Sequence, residues 1–249
     1  MNAFWWFEEN KIAGMARPGF NHVHWSELPF EEAVLMGWIG GRSSGTYSRA
    51  EFLKHLLTYC PKISLFYDFD EEKSLHLVEN LNSLVGLSNV FERFLKKTRV
   101  IENFKVTEDS IFFEISKKRL NEEISYFKDR GIKKIIALTE IHHNKDFLSQ
   151  YFDVYHFSVP DLEVPTFEQV IQISDLLKKS KEEPIGIHCL AGIGRTSTML
   201  IATHLVLGFS LEELKKIISI KNPSYQLMGV QGKFIEEMDK KLSFTQKLD

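Results

Sequence analysis

The sequence predicts an α/β fold, with a mainly parallel central sheet covered on both faces by helices. In the C-terminal half, short apolar runs alternate with stretches of helical periodicity, the pattern of βα units rather than of hairpins. The runs are continuously apolar instead of alternating, as strands buried on both faces require. The chain is also large enough for a core: 249 residues, 43% hydrophobic and 26% charged, too apolar for disorder.

Taken in order, the start MNAFWWFEENK lacks the basic region and apolar run of a secretory signal. Trp5, Trp6 and Phe7 read as core aromatics that tie down the terminus. Between His22 and Lys118 the chain mixes helix-like pieces (SRAEFLKHLL, SNVFERFLKK) with strand-like ones (KISLFYDF, SIFFEIS). GWIGGRSSG reads as a flexible loop among them, and it lacks the Gly-Lys-Ser/Thr ending of a nucleotide loop. DFDEEK reads as a solvated helix start with acid at its N-terminus. LNEEISYFKDRG has helical spacing and a terminal glycine, and IKKIIALTE follows as a strand. FDVYHFSV is a second strand stopped by Pro160. PTFEQVIQISDLLKKSKEE is a helix capped by Thr166, PIGIHC a third strand, and a long helix starts near Arg195. SLEELKKIISI, opened by Ser210, and VQGKFIEEMDKKL complete the chain as helices.

Function classes narrow from composition. A net charge of −3 gives no general affinity for nucleic acid or anionic membranes, so anion recognition has to be local. The longest apolar stretch, MLIATHLVLGF, is about half a membrane span and contains a histidine, so it reads as a buried helix and no membrane span is expected. Two cysteines make no disulfide framework, and a reducing, cytoplasmic compartment follows.

The densest signal is IHCLAGIGRTST, residues 187–198. Strand, cysteine, glycine-rich loop and arginine at a helix start form a phosphate-binding geometry. The loop N–H groups converge on an anion and the helix N-terminus adds its positive end. Gly192 and Gly194 permit the tight path, Ala191 keeps the cavity clear, and Arg195 brings a planar fork for two phosphate oxygens. The same field stabilises a thiolate at Cys189, placed for in-line attack on phosphorus. The departing oxygen needs a proton. Asp161, between prolines in SVPDLEVP and 28 residues before Cys189, is the candidate general acid.

HCLAGIGRT resembles the H-C-x5-R-[S/T] signature of cysteine-dependent protein tyrosine phosphatases, and VPD resembles the short acid loop of their dual-specificity branch. NKIAGMARP, GIKKIIALTE, VPDLEVPTFEQ, GIHCLAGIGRTSTML and NPSYQLMGVQ are similar, in that order, to the small atypical dual-specificity phosphatases. The likeness covers roughly residues 4–21 and 119–240. It implies Cys189 as nucleophile, Arg195 as phosphate and transition-state ligand, and Asp161 as acid and then base. It implies that Thr196 hydrogen-bonds the sulfur, that His188 orients the cysteine backbone, and that Gln231 positions the hydrolytic water. Leu190, Ala191, Gly192, Ile193, Gly194 and Arg195 would bind phosphate, with no cofactor and no metal. The resemblance further implies one phosphatase domain, 1–249, with core 1–21 and 119–249, interrupted at about 22–118 by an inserted mixed α/β subdomain. That insertion is too apolar for a solvated loop and is expected to pack on the core and shape the active-site rim. Ser197 departs from the usual glycine and adds a hydroxyl to the first helical turn, where it is expected to crowd the packing.

Other candidates read more plainly. His22 and His24, with His142 and His143, lack acidic or cysteine partners at ligand spacing and read as surface or core histidines. His204 reads as core and Cys60 as a buried structural thiol. Glu140, at the sheet's C-terminal edge, is placed either to touch the cradle or Arg195 or to be a plain surface acid. The functional expectation is a metal-independent phosphomonoesterase. Leu190 and Ile193 are apolar and the loop's cation is Arg195, which favours phosphoprotein (phosphotyrosine, with phosphoserine and phosphothreonine as further options) over phosphoinositide or RNA 5′-phosphate. Alternatives are a phosphate-dependent binding module with weak catalysis and, less in keeping with Asp161, sulfur transfer or arsenate reduction.

Overall fold

The computed structural model describes residues 4–19, 28–64, 67, 71–180, 182–225 and 229–245. It divides into two compact units, Met1–Pro18 with Glu123–Asp249, and Gly19–Glu122.

The first unit holds a five-stranded sheet in the order β1-β2-β8-β6-β7, from β1 (Phe4–Glu8), β2 (Ile12–Met15), β6 (Lys134–Ala137), β7 (Asp153–His156) and β8 (Ile185–His188). β1 runs antiparallel to β2, and the other three pairings are parallel. β8 is the central strand, with His188 opposite Met15 on one side and Ala137 on the other. Cys189 therefore leaves the carboxyl end of the middle strand, where ligand sites of open α/β sheets form.

Each strand is only four or five residues long and fully buried where it is central, as IAGM, KIIA and IGIH show, with Lys134 and His188 the polar residues at two strand ends. The helices of this unit are α5 (Lys117–Asp129, whose first turns lie in the second unit), α6 (Lys145–Leu148), α7 (Phe167–Lys179), α8 (Gly194–Val206), α9 (Leu211–Lys221) and α10 (Gly229–Thr245). α7 and α9 open on capping boxes, Thr166 with Gln169 and Ser210 with Glu213, each offsetting donors left open by helix geometry. α8 is different. Its start carries no side-chain cap, and every residue from Arg195 to Leu205 is buried. It is the central helix of the unit, packed on Ile187, Val170, Ile173, Leu214 and Ile235, with an N-terminus left open toward the cysteine loop.

β1 is held at the edge by its aromatics. A Cβ at Gly14 would lie 2.3 Å from the Trp5 ring, so glycine there lets the indole lie flat on β2. Phe7 is buried, while Trp5 and Trp6 are only half-buried because β1 is the edge strand. His204 is buried as expected of a core residue, bonding Leu200 O at 2.7 Å and Glu8 Oε1 at 2.9 Å. That bond holds the Glu8 carboxyl below the ordinary range, against burial.

The second unit contains α1 (Phe30–Gly40), β3 (Gly45–Ser48), α2 (Arg49–Ser64), α3 (Glu71–Asn82), α4 (Leu84–Thr98), β4 (Ile101–Val106) and β5 (Ser110–Ile115). Its sheet is antiparallel, β3-β5-β4, over a cluster of Trp38, Tyr47, Phe52 and Phe113 rings.

Two expectations fail here. Gly37–Gly40 of the supposed loop GWIGGRSSG end α1, because a Cβ at Gly37 would lie 2.6 Å from the Tyr59 ring. The glycine serves close packing against α2 instead of flexibility. In KISLFYDF, Lys62–Ser64 continue α2 through Pro61, an ambiguity inherent in short apolar runs. Leu65, Phe66 and Asp68–Asp70 lie outside the described residues, as do His22 and His24. Cys60 is buried, which pushes its thiol up to about 12.

Among the described residues no helix is long and apolar enough to cross a membrane.

Candidate active site

The cysteine loop runs from β8 into α8. Its path is set by Gly192, whose φ of +70° is a left-handed conformation that favours glycine. A Cβ there would also lie 2.7 Å from the Met15 carbonyl carbon and oxygen and 2.8 Å from the Ala16 nitrogen, so the loop packs directly on the end of β2. Several loop carbonyls are tied outward. His188 O accepts from Leu138 N at 2.8 Å and Leu190 O from Arg17 N at 3.1 Å. His188 Nδ1 lies 3.1 Å from Cys189 O. Burial lowers the His188 imidazole to about 3 and His143 to about 2, so both are neutral near neutrality, and His188 acts on Cys189 by hydrogen bonding and not by charge.

Cys189, between β8 and the loop, is a buried free cysteine. Arg195 is buried too, and its guanidinium is held from three directions. Nη1 donates to Val159 O at 2.8 Å and to Glu140 Oε2 at 3.1 Å, and Nη2 lies 3.0 Å from Asp161 Oδ1. Burial works against the charge, but Asp161, Cys189 and Glu140 outweigh it and hold the guanidinium above its ordinary value. Thr196 Oγ1 is fully buried with no hydrogen-bond partner in the structure, so it makes no bond to the Cys189 sulfur in this arrangement.

Asp161 stands on a sharp turn. Glu163 N bonds Pro160 O at 3.1 Å, and Leu162 takes φ +65°, unusual for a branched side chain and a sign of a locally strained loop. Two side chains pin that turn. Glu140 Oε1 accepts from Asp161 N at 2.7 Å, and Gln231 Nε2 donates to Glu163 O at 3.3 Å. Gln231 also lies over the loop, 3.2 Å from where a Gly194 Cβ would be. Cys189, Arg195, Asp161, His188, Thr196, Gln231 and the loop residues 190–194 thus belong to one region. Glu140 touches Arg195, which resolves its two readings.

Ser197 does not crowd the helix start. Its hydroxyl is buried and accepts from Asn222 Nδ2 at 2.9 Å. Sequence reasoning assigned nothing to Asn222, and the Val159 and Glu163 carbonyls are backbone atoms with no residue signature. His142 and His143 lie near His156 and His188, His142 stacking edge-on to His156 at 5.5 Å. Among the described residues no group of three or more His, Cys, Asp or Glu side chains is arranged to hold a metal ion.

This region is similar to known proteins. Residues 114–208 match the family model described as "Tc-R-P: Polymorphic toxin system, DSP-PTPase phosphatase". The chain is 30% identical over 115 residues to dual specificity protein phosphatase CDC14C of Homo sapiens, covering 45% of this chain and 25% of that protein. It is likewise 30% identical over 115 residues to dual specificity protein phosphatase CDC14B of Mus musculus, covering 23% of it. The match thus spans about a quarter of the length of these relatives. Similar solved structures include Tk-PTP in the active form, 23% identical with a TM-score of 0.43 over 48% of this chain and 85% of that one. PTPMT1 in complex with PI(5)P is 19% identical with a TM-score of 0.44 over 51% and 88%. The matched segment is similar to phosphatases of the dual-specificity, protein tyrosine phosphatase type.

Proposed function

We propose that the protein hydrolyses phosphomonoesters of phosphoproteins through a phosphocysteine intermediate. The observation that carries this is the Arg195 junction. One buried guanidinium at the end of the cysteine loop meets Asp161, which comes from a separate loop, at 3.0 Å, and this contact supports Asp161 as the acid.

In this reading the phosphate dianion sits on the loop N–H groups and on Arg195, competing with the Asp161 carboxylate for the Nη2 edge. The Cys189 thiolate attacks phosphorus as the P–O bond to the leaving group breaks, and Asp161, protonated, gives its proton to the departing oxygen. A water then attacks the phosphocysteine, giving its proton to Asp161, and Cys189 leaves as thiolate. Gln231, bonded to the acid loop and lying over Gly194, positions that water in this reading. The unpartnered Thr196 hydroxyl is available to the sulfur as charge returns to it. The apolar Leu190 and Ile193 favour a phosphoprotein over a polyanionic lipid or RNA end. Residues 22–118 are an insertion in this single phosphatase domain, and the site is suited to a reducing, cytoplasmic compartment.

The test is Cys189→Ser. Turnover of an aryl phosphate should disappear while tungstate, a phosphate mimic, still binds. Measurable hydrolysis by the purified serine variant overturns the covalent mechanism. A wild-type protein that binds tungstate without turnover would instead be a phosphate-binding module.

A further inference from the structure

The stretch NPSY, residues 222–225, takes no part in the chemistry above, yet it lies directly behind the cysteine loop. Asn222 ends α9, its N–H donating to Ile218 O at 2.8 Å, and its carbonyl accepts from Tyr225 N at 2.9 Å. Two side chains reach the loop from this turn. The Asn222 amide nitrogen donates to Gly192 O at 3.3 Å and to Ser197 Oγ at 2.9 Å. The Tyr225 hydroxyl lies 2.9 Å from Thr198 Oγ1, which donates to Gly194 O at 3.0 Å. All four side chains are buried.

The Gly192 carbonyl and the Ile193 N–H belong to one planar peptide and point in opposite directions. With the carbonyl fastened to Asn222 behind the loop, the N–H faces the cradle. Were that peptide to rotate, a carbonyl oxygen would face the anion and repel it. Glycine at 192 makes such a rotation sterically cheap, so the sequence that allows the tight loop also needs something to hold it.

We propose that Asn222, anchored in turn by Ser197, is a positioning residue of the phosphate cradle: it keeps the Gly192–Ile193 peptide in the anion-binding orientation. This gives Ser197 a purpose, since a glycine at that position would leave the second Asn222 N–H buried without an acceptor. The inference rests on the phosphate-cradle reading.

The experiment compares wild-type protein with Asn222→Leu, which keeps the branched shape and removes the donors, and Ser197→Ala, a one-atom change suited to the case in which the leucine variant fails to fold. Tungstate dissociation constants are measured by calorimetry on folded protein, beside kcat, KM and Tm. Loss of the Asn222 bonds should weaken tungstate binding about 10-fold and Ser197→Ala about 3-fold, with kcat/KM falling in parallel. A lower Tm with tungstate affinity within about twofold of wild type for the folded variant or variants means a merely structural role, and overturns the proposal. If the wild type binds tungstate but turns nothing over, the phosphatase reading fails while the affinities still decide this one. If the wild type binds no oxyanion, the cradle and the proposal both fall.

Discussion

Replacing Glu140 by alanine should cost activity more than stability, and the structure sets the size. The carboxylate makes two charge-assisted bonds, 3.1 Å to Arg195 Nη1 and 2.7 Å to Asp161 N. Each such bond is worth about 1.5–3 kcal/mol when well desolvated. The Glu140 side chain is 43% exposed, so solvent screening discounts them, to a combined loss of about 1–2 kcal/mol. Since the bonds align the guanidinium and the acid loop together, the loss should fall on transition-state stabilisation, lowering kcat/KM about 5–30-fold. Glu140→Gln keeps an oxygen acceptor for one of the two bonds and should lose less. The assay is steady-state hydrolysis of an aryl phosphate by wild type, both Glu140 variants, Asp161→Asn and the Glu140→Ala/Asp161→Asn double variant, with circular dichroism to verify folding. Because the two residues act on one loop, the double variant should lose less than the sum of the singles. A folded alanine variant within about twofold of wild type, or strictly additive losses, would refute the coupling.

Asp161→Asn should slow an alkyl phosphate more than an activated aryl phosphate, because protonation matters most for a basic leaving oxygen; equal losses across a leaving-group series count against Asp161 as the acid. Gly192→Ala forces a Cβ onto the β2 backbone at φ +70°, so thermal denaturation should show a loss of at least about 1–2 kcal/mol, and tungstate binding should weaken with it; an unchanged Tm would mean that the loop can be rebuilt freely. His143 and His188 are lowered by burial to about 2 and about 3, whereas in the unfolded chain each titrates near about 6.5. Below that pH the unfolded state binds more protons, so their contribution is full above about 6.5 and declines as pH falls toward about 3, by up to about 1.4 kcal/mol per pH unit for each histidine. Urea denaturation at pH 7.5 and 5.5 should show lower stability at the acid value; equal or greater stability there contradicts the neutral buried imidazoles.

What the sequence determined by itself was whatever is encoded in contiguous residues. The loop from Cys189 to Arg195 was legible because strand, cysteine, glycines and arginine follow one another, and the caps at Thr166 and Ser210 because their partners lie three residues away. The parallel sheet was legible because short runs dominated by apolar residues, KIIA and IGIH among them, alternate with helical stretches and do not alternate polar with apolar. Asp161 was legible as a candidate, though not its distance to Arg195. Local pattern misled where packing across distant segments decides. Gly37 looked like flexibility but lies against Tyr59, and Ser197 looked like a burden until Asn222, 25 residues on, supplied its partner. Only the tertiary structure chose between the two readings of Glu140, since Arg195 is 55 residues away. It alone showed Arg195 held partly by the carbonyl of Val159, because a backbone oxygen is common to every residue and acquires a role only when folding aims it.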